Sequence, residues 1–392
     1  MASEQESIVT KLERAGWEFA FRTLMNNYCR MWWRPRLRNP EALPDKGPCF
    51  IYGNHTNRFD PFLLNCFTAW GNPTAGVMTR ERMRSKALAR AFELFSVLPV
   101  RKRIAEPGLV RTLRKKLDEG HRIVIYPEGG SRWTGRPEPW IPSTAKVFMR
   151  MGAPVYPVFT HGSFASWPRW AKWPRPARVE LEVGEPMTFA RRDDPEEGLK
   201  RLEAAMAIDG SETPEHLKPK WAYRPADGLH ILLYRDPESG EYESFYTTDG
   251  KKFKNRSGNL QWKVRPDSML LDGNGKVINP SEIYDQIKAM PLQADKAGDL
   301  LNSDVDLSKE VEWPELRPMG RATAQLRSDV ILIKTEKESI SIPLEQVLAH
   351  DIERNYKFQI STAEDMYQFE FNREGSALSW KDALVRLGVA PL

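Results

Sequence analysis

Asn54-His55-Thr56-Asn57-Arg58-Phe59-Asp60 sets a histidine and an aspartate five positions apart at the end of an apolar run. Just upstream, Pro48-Cys49-Phe50-Ile51-Tyr52-Gly53 reads as a short buried strand. Just downstream, Asp60-Pro61 followed by Phe62-Leu63-Leu64 reads as the start of a helix. His55 then lies in the turn from strand to helix. On one continuous helix the two side chains would point roughly 140° apart, so the pair can cooperate only if a loop folds them together. Asp before Pro is also a good helix N-cap, and a lone loop histidine is often only a solvated side chain; both readings stand on this heptapeptide.

A second segment, Ile123-Val124-Ile125-Tyr126-Pro127-Glu128-Gly129-Gly130-Ser131-Arg132, runs another apolar strand into a carboxylate and a turn of small residues. Backbone amides of Gly-Gly-Ser can form a nest for an anion.

In these blocks the chain resembles the glycerolipid acyltransferases, of which 1-acylglycerol-3-phosphate acyltransferase is the typical member. The family's N-H-x4-D is present as Asn54, His55 and Asp60, and its F-P-E-G block as Tyr126-Pro127-Glu128-Gly129. Between them Leu98-Pro99-Val100-Arg101-Lys102-Arg103 matches the strand whose terminal arginine meets the acceptor's phosphate, and Ala153-Pro154-Val155-Tyr156-Pro157-Val158 matches the proline-flanked fourth block. Two departures stand out. Many members continue E-G with T-R-S, whereas here Gly130-Ser131-Arg132 follows and the arginine falls one place later. An ungapped match of the second block puts Lys102, not Arg101 or Arg103, at the family arginine.

The resemblance implies an α/β fold, a mixed sheet flanked by helices, followed here by a mainly β C-terminal region. It also implies roles. His55 would deprotonate the acceptor hydroxyl, which suits a neutral imidazole near pH 7. Asp60 would fix its tautomer, in a Ser-His-Asp-like arrangement where the substrate supplies the hydroxyl. Asn54, Glu128, Gly129, Gly130 and Ser131 would line the substrate site, with the glycine amides aimed at the oxyanion. Glu128 reads equally as a structural turn carboxylate. Arg101, Lys102, Arg103 and Arg132 would meet phosphate.

The chain has 392 residues, enough for two to three domains. Residues 1–220 hold 36 Lys and Arg against 25 Asp and Glu, of 58 and 53 in all, so the basic part is the part with the motifs. Much of that excess falls between Arg80 and Lys116. Such a run is commonly a solvated helix face, but it also suits anionic lipid heads and a carrier's phosphates; no recognisable nucleic-acid module accompanies it. The polar start Met1-Ala2-Ser3-Glu4 predicts no signal peptide. No apolar run approaches the roughly 20 residues of a spanning helix. Cys29, Cys49 and Cys66 lack paired spacing, which predicts free thiols and no metal.

Two segments suggest membrane contact. From Trp17 to Trp33, Trp17, Phe21, Leu24, Tyr28 and Met31 recur at helical spacing, an amphipathic helix readable as core or interfacial. Trp167-Pro168-Arg169-Trp170-Ala171-Lys172-Trp173-Pro174-Arg175 interleaves tryptophan with cations, the composition of a headgroup boundary, although packing on the protein's own sheet explains it equally.

After residue 220 the pattern changes. Gly228 to Leu233 reads as a strand, and Asp249-Gly250, Ser257-Gly258 and Asp272-Gly273-Asn274-Gly275 are hairpin signals. Residues 221–290 faintly resemble the zinc ribbon of some bacterial relatives, with Asp236, Ser239, Lys254 and Ser257 where the cysteines would stand; a ribbon without metal, ending in a short helix, is expected. Residues 306–392 alternate in strand fashion and close with a helix near Trp380 to Leu387, which resembles a pleckstrin-homology-type module.

The expected function is an O-acyltransferase of phospholipid biosynthesis. It would move a fatty acyl group from acyl-CoA or acyl-carrier protein to a lysophospholipid hydroxyl, most of all 1-acylglycerol 3-phosphate. It would work in the cytoplasm, peripherally on the inner face of an anionic membrane, without metal or cofactor. Another lysophospholipid or a non-glycerol lipid is the alternative acceptor; a non-catalytic lipid-binding adaptor is the rival class.

Overall fold

The protein is described here from a computed structural model covering residues 8–68, 74–94, 96–100, 107–141, 143–372 and 375–389. The chain divides into two compact units, one of Met1–Arg169 and Pro174–Trp221, the other of Trp170–Trp173 and Ala222–Leu392.

The first unit begins with α1 (Ile8–Trp33), β1 (Arg36–Leu37), β2 (Cys49–Gly53) and α2 (Asp60–Asn65). It continues through β3 (Thr74–Thr79), α3 (Lys86–Leu94), β4 (Val97–Val100), α4 (Pro107–Asp118) and β5 (Arg122–Ile125). It ends with α5 (Ser143–Met151), β6 (Val155–His161), α6 (Ser163–Ser166), β7 (Glu180–Val183) and α7 (Pro195–Ala205). Its strands form a mixed sheet in the order β1-β7-β6-β2-β5-β3-β4, in which β2 runs parallel to both β5 and β6 while β7 is antiparallel to β6.

The central strands are apolar throughout because both faces of the sheet are covered. Phe50 and Tyr52 of β2 and Ile123 and Ile125 of β5 point to one core, packed against Leu113 and Leu117 of α4, Phe148 of α5 and Leu202 of α7. Their neighbours Cys49, Ile51 and Val124 point to the other, with Cys29 and Trp33 of α1 and Leu63 of α2. Alternation along each strand thus feeds two cores, and the parallel strands β2, β5 and β6 discharge their C-terminal turns at the same sheet edge. Ligand sites of open α/β sheets lie at that edge.

Burial corrects the membrane-contact residues. Phe21 meets Phe62 edge to face at 5.7 Å, and Trp167 stacks on Phe59 at 5.6 Å. Trp170 is only 1% exposed. In the second unit, Trp173 donates its indole N–H to Asp227 (3.2 Å) and packs against Tyr223. Trp170 is thus packed inside and Phe21 and Trp167 are part-buried against aromatic neighbours, whereas Trp17, at 59% exposure, and Trp173, at 38%, are left outward.

The second unit opens with α8 (Leu229–Leu232), one helical turn where the sequence reads a strand; Gly228, at φ +95°, starts the turn. Strands β8 (Phe245–Tyr246), β9 (Lys252–Asn255), β10 (Gln261–Val264), β11 (Leu270–Leu271) and β12 (Val277–Ile278) form an antiparallel ribbon. The hairpin residues act as read: Asp249 accepts from the amides of Lys251 and Lys252, and Gly250 takes φ +71°. Two knuckle-like turns are joined by Asn255 Nδ2 donating to Asp236 Oδ2 at 2.7 Å, both residues being buried.

The short helix is α9 (Pro280–Ala289), after which come β13 (Leu301–Glu312), β14 (Glu315–Leu326), β15 (Val330–Thr335) and β16 (Ser339–Pro343). With β17 (Ala349–Glu353), β18 (Lys357–Ser361) and β19 (Met366–Phe371) they form an antiparallel sheet, followed by α10 (Ala377–Arg386). The sheet starts at Leu301, not 306, since Leu301, Val305 and Leu307 are buried among exposed polar neighbours. Trp380 of α10, fully buried, packs on Phe369 of the sheet at 5.5 Å. Asp382 of the same helix accepts hydrogen bonds from Tyr234 (3.0 Å) and Tyr284 (2.8 Å), and so ties ribbon and sheet into one unit.

Candidate active site

Three turns build the site, each leaving the C-terminal end of a strand. The first follows β2. Asn54 is fully buried and clamps β2 to β6, donating to the Thr160 carbonyl (3.1 Å) and accepting from the Thr160 amide (2.8 Å). It shapes the turn and does not line a substrate surface. His55 comes next and partly reaches solvent, its side chain 17% exposed.

Asp60 is 1% exposed, and its carboxylate faces back into the turn. Oδ2 meets His55 Nδ1 at 3.0 Å and accepts from the amides of Thr56 and Asn57, each at 2.8 Å. Ser163, at the start of α6, donates to Oδ1 at 2.5 Å. Asp60 is therefore not the helix cap the Asp-Pro pair suggests; its two backbone donors precede it. Since a carboxylate only accepts, His55 Nδ1 carries the proton, and the tautomer this selects for a neutral ring has its lone pair on Nε2. That ring is further fixed by Tyr126, 4.6 Å away between centroids, whose burial pushes the phenol pKa well above its usual range.

The third block forms the other wall. The Arg132 amide donates to the His55 carbonyl at 2.7 Å, which bolts this turn to the first one. The Ser131 hydroxyl then lies 3.4 Å from His55 Nε2. A hydroxyl thus fits beside Nε2 at the part-open side of the ring. Gly129, at φ +69°, turns the chain, and its amide donates to the Tyr126 carbonyl at 3.0 Å. That N–H is committed to the turn and is not directed at an oxyanion.

Glu128 and Arg132 turn inward. Arg132 is fully buried, its Nε and Nη2 bond Glu128 at 2.6–2.9 Å, and Nη1 donates to the carbonyls of Ile208 (2.7 Å) and Gly135 (3.2 Å). Burial pushes the Glu128 carboxyl up to about 7, against the opposing pull of Arg132. These two residues brace the block from beneath; neither is placed to meet a phosphate. Arg101, Lys102 and Arg103 lie outside the described residues.

Residues to which the sequence assigned no place in this site complete it: Ser163, Tyr126, Asn57 and Arg169. Asn57 accepts from the Phe59 amide (2.9 Å) and donates to Ser166 Oγ (3.0 Å), so it holds α6 against the His55 turn. Arg169 donates to the Ser131 carbonyl at 2.7 Å. Only Tyr126 carried a signal, as the aromatic residue opening the third block. Among the described residues no group of three or more His, Cys, Asp or Glu is placed to hold a metal ion.

Residues 34–161 match the family model described as Acyltransferase, and the span contains both the His55 turn and the third block. No curated protein matches the chain by sequence. Among solved structures, the crystal structure of the 1-acyl-sn-glycerophosphate (LPA) acyltransferase PlsC from Thermotoga maritima is similar over 50% of this chain and 77% of its own, at 18% identity and a TM-score of 0.40. The solution structure of the N-terminal PH domain of human ARAP2 is similar over 24% of this chain and 84% of its own, at 15% identity and a TM-score of 0.18. The stretch of the first unit that carries the His55 turn and the third block is thus the stretch similar to the acyltransferase family.

Proposed function

We propose that the first unit transfers a fatty acyl group from acyl-CoA or acyl-carrier protein to a lysophospholipid hydroxyl, with 1-acylglycerol 3-phosphate as the first acceptor to test. The observation that carries this reading is a histidine whose Nδ1–H is held by a buried aspartate and whose Nε2 faces a hydroxyl at a partly open turn. A thioester is already activated, so no enzyme nucleophile is needed. His55 Nε2 takes the proton as the acceptor oxygen attacks the thioester carbonyl, and Asp60 stabilises the imidazolium that forms. Collapse expels the thiolate, which recovers the proton from His55. With the Gly129 amide used in its turn, the Gly130 amide is the oxyanion donor in this scheme.

The inward Arg132 favours keeping other acceptors in view, because the third block then lends no guanidinium of its own to a phosphate. The setting proposed is cytoplasmic and peripheral, on the inner face of an anionic membrane. Among the described residues no helix is long and apolar enough to cross a membrane. Trp17, Leu24 and Met31 form an outward ridge on α1, each 59–69% exposed, spaced seven residues apart. That ridge runs roughly 21 Å along the helix and is the proposed contact with lipid.

The test is incubation of purified protein with labelled acyl-CoA or acyl-carrier protein and a panel of lysolipids. A labelled diacyl product, lost in His55→Ala, is expected. Transfer to no member of the panel, or transfer undiminished in His55→Ala, would overturn the reading.

A further inference from the structure

Arg132, the arginine of the third block, is spent on Glu128, yet a guanidinium does stand at that turn. Arg169, contributed 38 residues after Ser131, lies over the Trp133 ring at 4.1 Å and donates Nη1 to the Ser131 carbonyl at 2.7 Å. A Cβ on residue 130 would come within 3.2 Å of the same Nη1, so Gly130 provides room for this approach. Arg169 is part-exposed, whereas Arg132 is sealed in. Arg58, exposed within the His55–Asp60 turn, covers the Trp167 ring at 4.4 Å and donates Nη2 to the Arg169 carbonyl at 3.3 Å. Two loops thereby bring two guanidinium groups to the rim of the turn whose Ser131 hydroxyl touches His55 Nε2.

We propose that Arg169, assisted by Arg58, binds the phosphate of the lipid acceptor, the role expected from the sequence for Arg132. This rests on the acyl-transfer reading above. Reach favours the acceptor over the donor. In a glycerol phosphate the reacting hydroxyl and the phosphorus are separated by only two carbons and one oxygen, so an anchoring cation must sit beside the base. In acyl-CoA the whole pantetheine arm separates thioester from phosphates. A guanidinium already stacked on an indole and held at the Ser131 carbonyl loses little rotamer freedom on binding, and the planar fork of an arginine matches phosphate geometry.

The test compares kcat/KM on 1-acylglycerol 3-phosphate and on the corresponding monoacylglycerol for wild type, Arg169→Ala, Arg169→Lys and Arg58→Ala. Binding of glycerol 3-phosphate to each protein is measured alongside by calorimetry. Arg169→Ala should lose about 10- to 100-fold on the phosphate-bearing acceptor, chiefly in KM, and little on the neutral one. It should also lose glycerol 3-phosphate binding, with Arg169→Lys intermediate and Arg58→Ala weaker in effect. Equal losses on both acceptors would make Arg169 a brace for the Ser131 turn and overturn the proposal. So would a loss that vanishes when acyl-CoA is replaced by acyl-pantetheine, since the charge would then serve the donor. If wild type acylates neither these two acceptors nor any member of the lysolipid panel, the acyl-transfer reading fails by itself and calorimetry decides: binding lost in Arg169→Ala supports the anion site, and no binding by wild type overturns it.

Discussion

Asp60 in the first unit and Asp236 in the second are buried carboxylates built into turns in nearly the same way. Each accepts two backbone amides, Thr56 and Asn57 for Asp60, Glu238 and Ser239 for Asp236. They differ in the side chain each one holds. Asp60 holds a histidine that reaches solvent; Asp236 holds Asn255, which is fully buried. The carboxylate-in-a-turn is a structural device in both. It is suited to chemistry only where its further partner is a titratable ring at an open sheet edge.

The sharpest break of this comparison is His55→Ala, which should lower turnover by about two to four powers of ten while the thermal midpoint stays in place. Unchanged turnover would make the first turn as inert as the second.

Substitution of the two aspartates tests the shared device. Asp60→Ala and Asp236→Ala should each cost roughly 1–3 kcal/mol, since buried donors lose their acceptor. Only Asp60→Ala should also reduce turnover per folded molecule, and Asp60→Asn should reduce turnover with the smaller stability loss. Denaturant titration and steady-state rates on the same preparations separate the two effects. Loss of turnover in Asp236→Ala would erase the distinction.

A smaller effect is expected at the lipid surface. Replacing Trp17, Leu24 and Met31 together by serine should weaken sedimentation with anionic vesicles about tenfold or more, because apolar burial drives insertion. Trp170→Phe, a change at a buried site, should not. Binding should also fall in high salt, where the Debye length shrinks from about 10 Å at 0.1 M to about 3 Å at 1 M. Equal loss in both variants would return the contact to the Trp-rich loop.

The weakest signal is in pH. Burial raises the Asp236 pKa, but the hydrogen bonds from Asn255 and the turn amides outweigh it and leave the group below its ordinary 3.8. Its contribution is present above that pH and lost as pH falls through the folded value. Glu128 has the opposite sign. With its carboxyl raised from 4.5 to about 7, unfolding releases up to about one proton between those values, so stability falls as pH rises through that window. Glu128→Gln should flatten the fall without touching the acid limb, and Asp236→Asn should do the reverse. Identical pH profiles for wild type and Glu128→Gln would show the Glu128–Arg132 pair to be ionised throughout.

The readable parts of the site were local ones. The apolar run of β2, the turn after it and the five-residue spacing from His55 to Asp60 lie within a dozen residues, so a single strand-turn-helix unit suffices to bring imidazole and carboxylate together. The hairpin signals of the ribbon worked for the same reason: Asp249 and Gly250 act on amides and dihedrals within three residues. Gly228 to Leu233 misled because a short apolar run fits a strand or a buried helical turn equally. The exposed and buried tryptophans were likewise indistinguishable, since Trp17 and Trp170 differ only in what the rest of the chain packs against them.

The sequence by itself determined the α/β order of the first unit, the pairing of His55 with Asp60, and the change to β structure after residue 220. Only the tertiary structure decided that Ser163 completes the cradle of Asp60, that Arg132 faces inward to Glu128, and that Arg169 stands at the Ser131 turn. The physical reason is range. Spacing and propensity act over a few residues, whereas those partners come from strand ends and loops that parallel pairing of β2, β5 and β6 gathers at one edge, and no local pattern records which side chain will find a partner there.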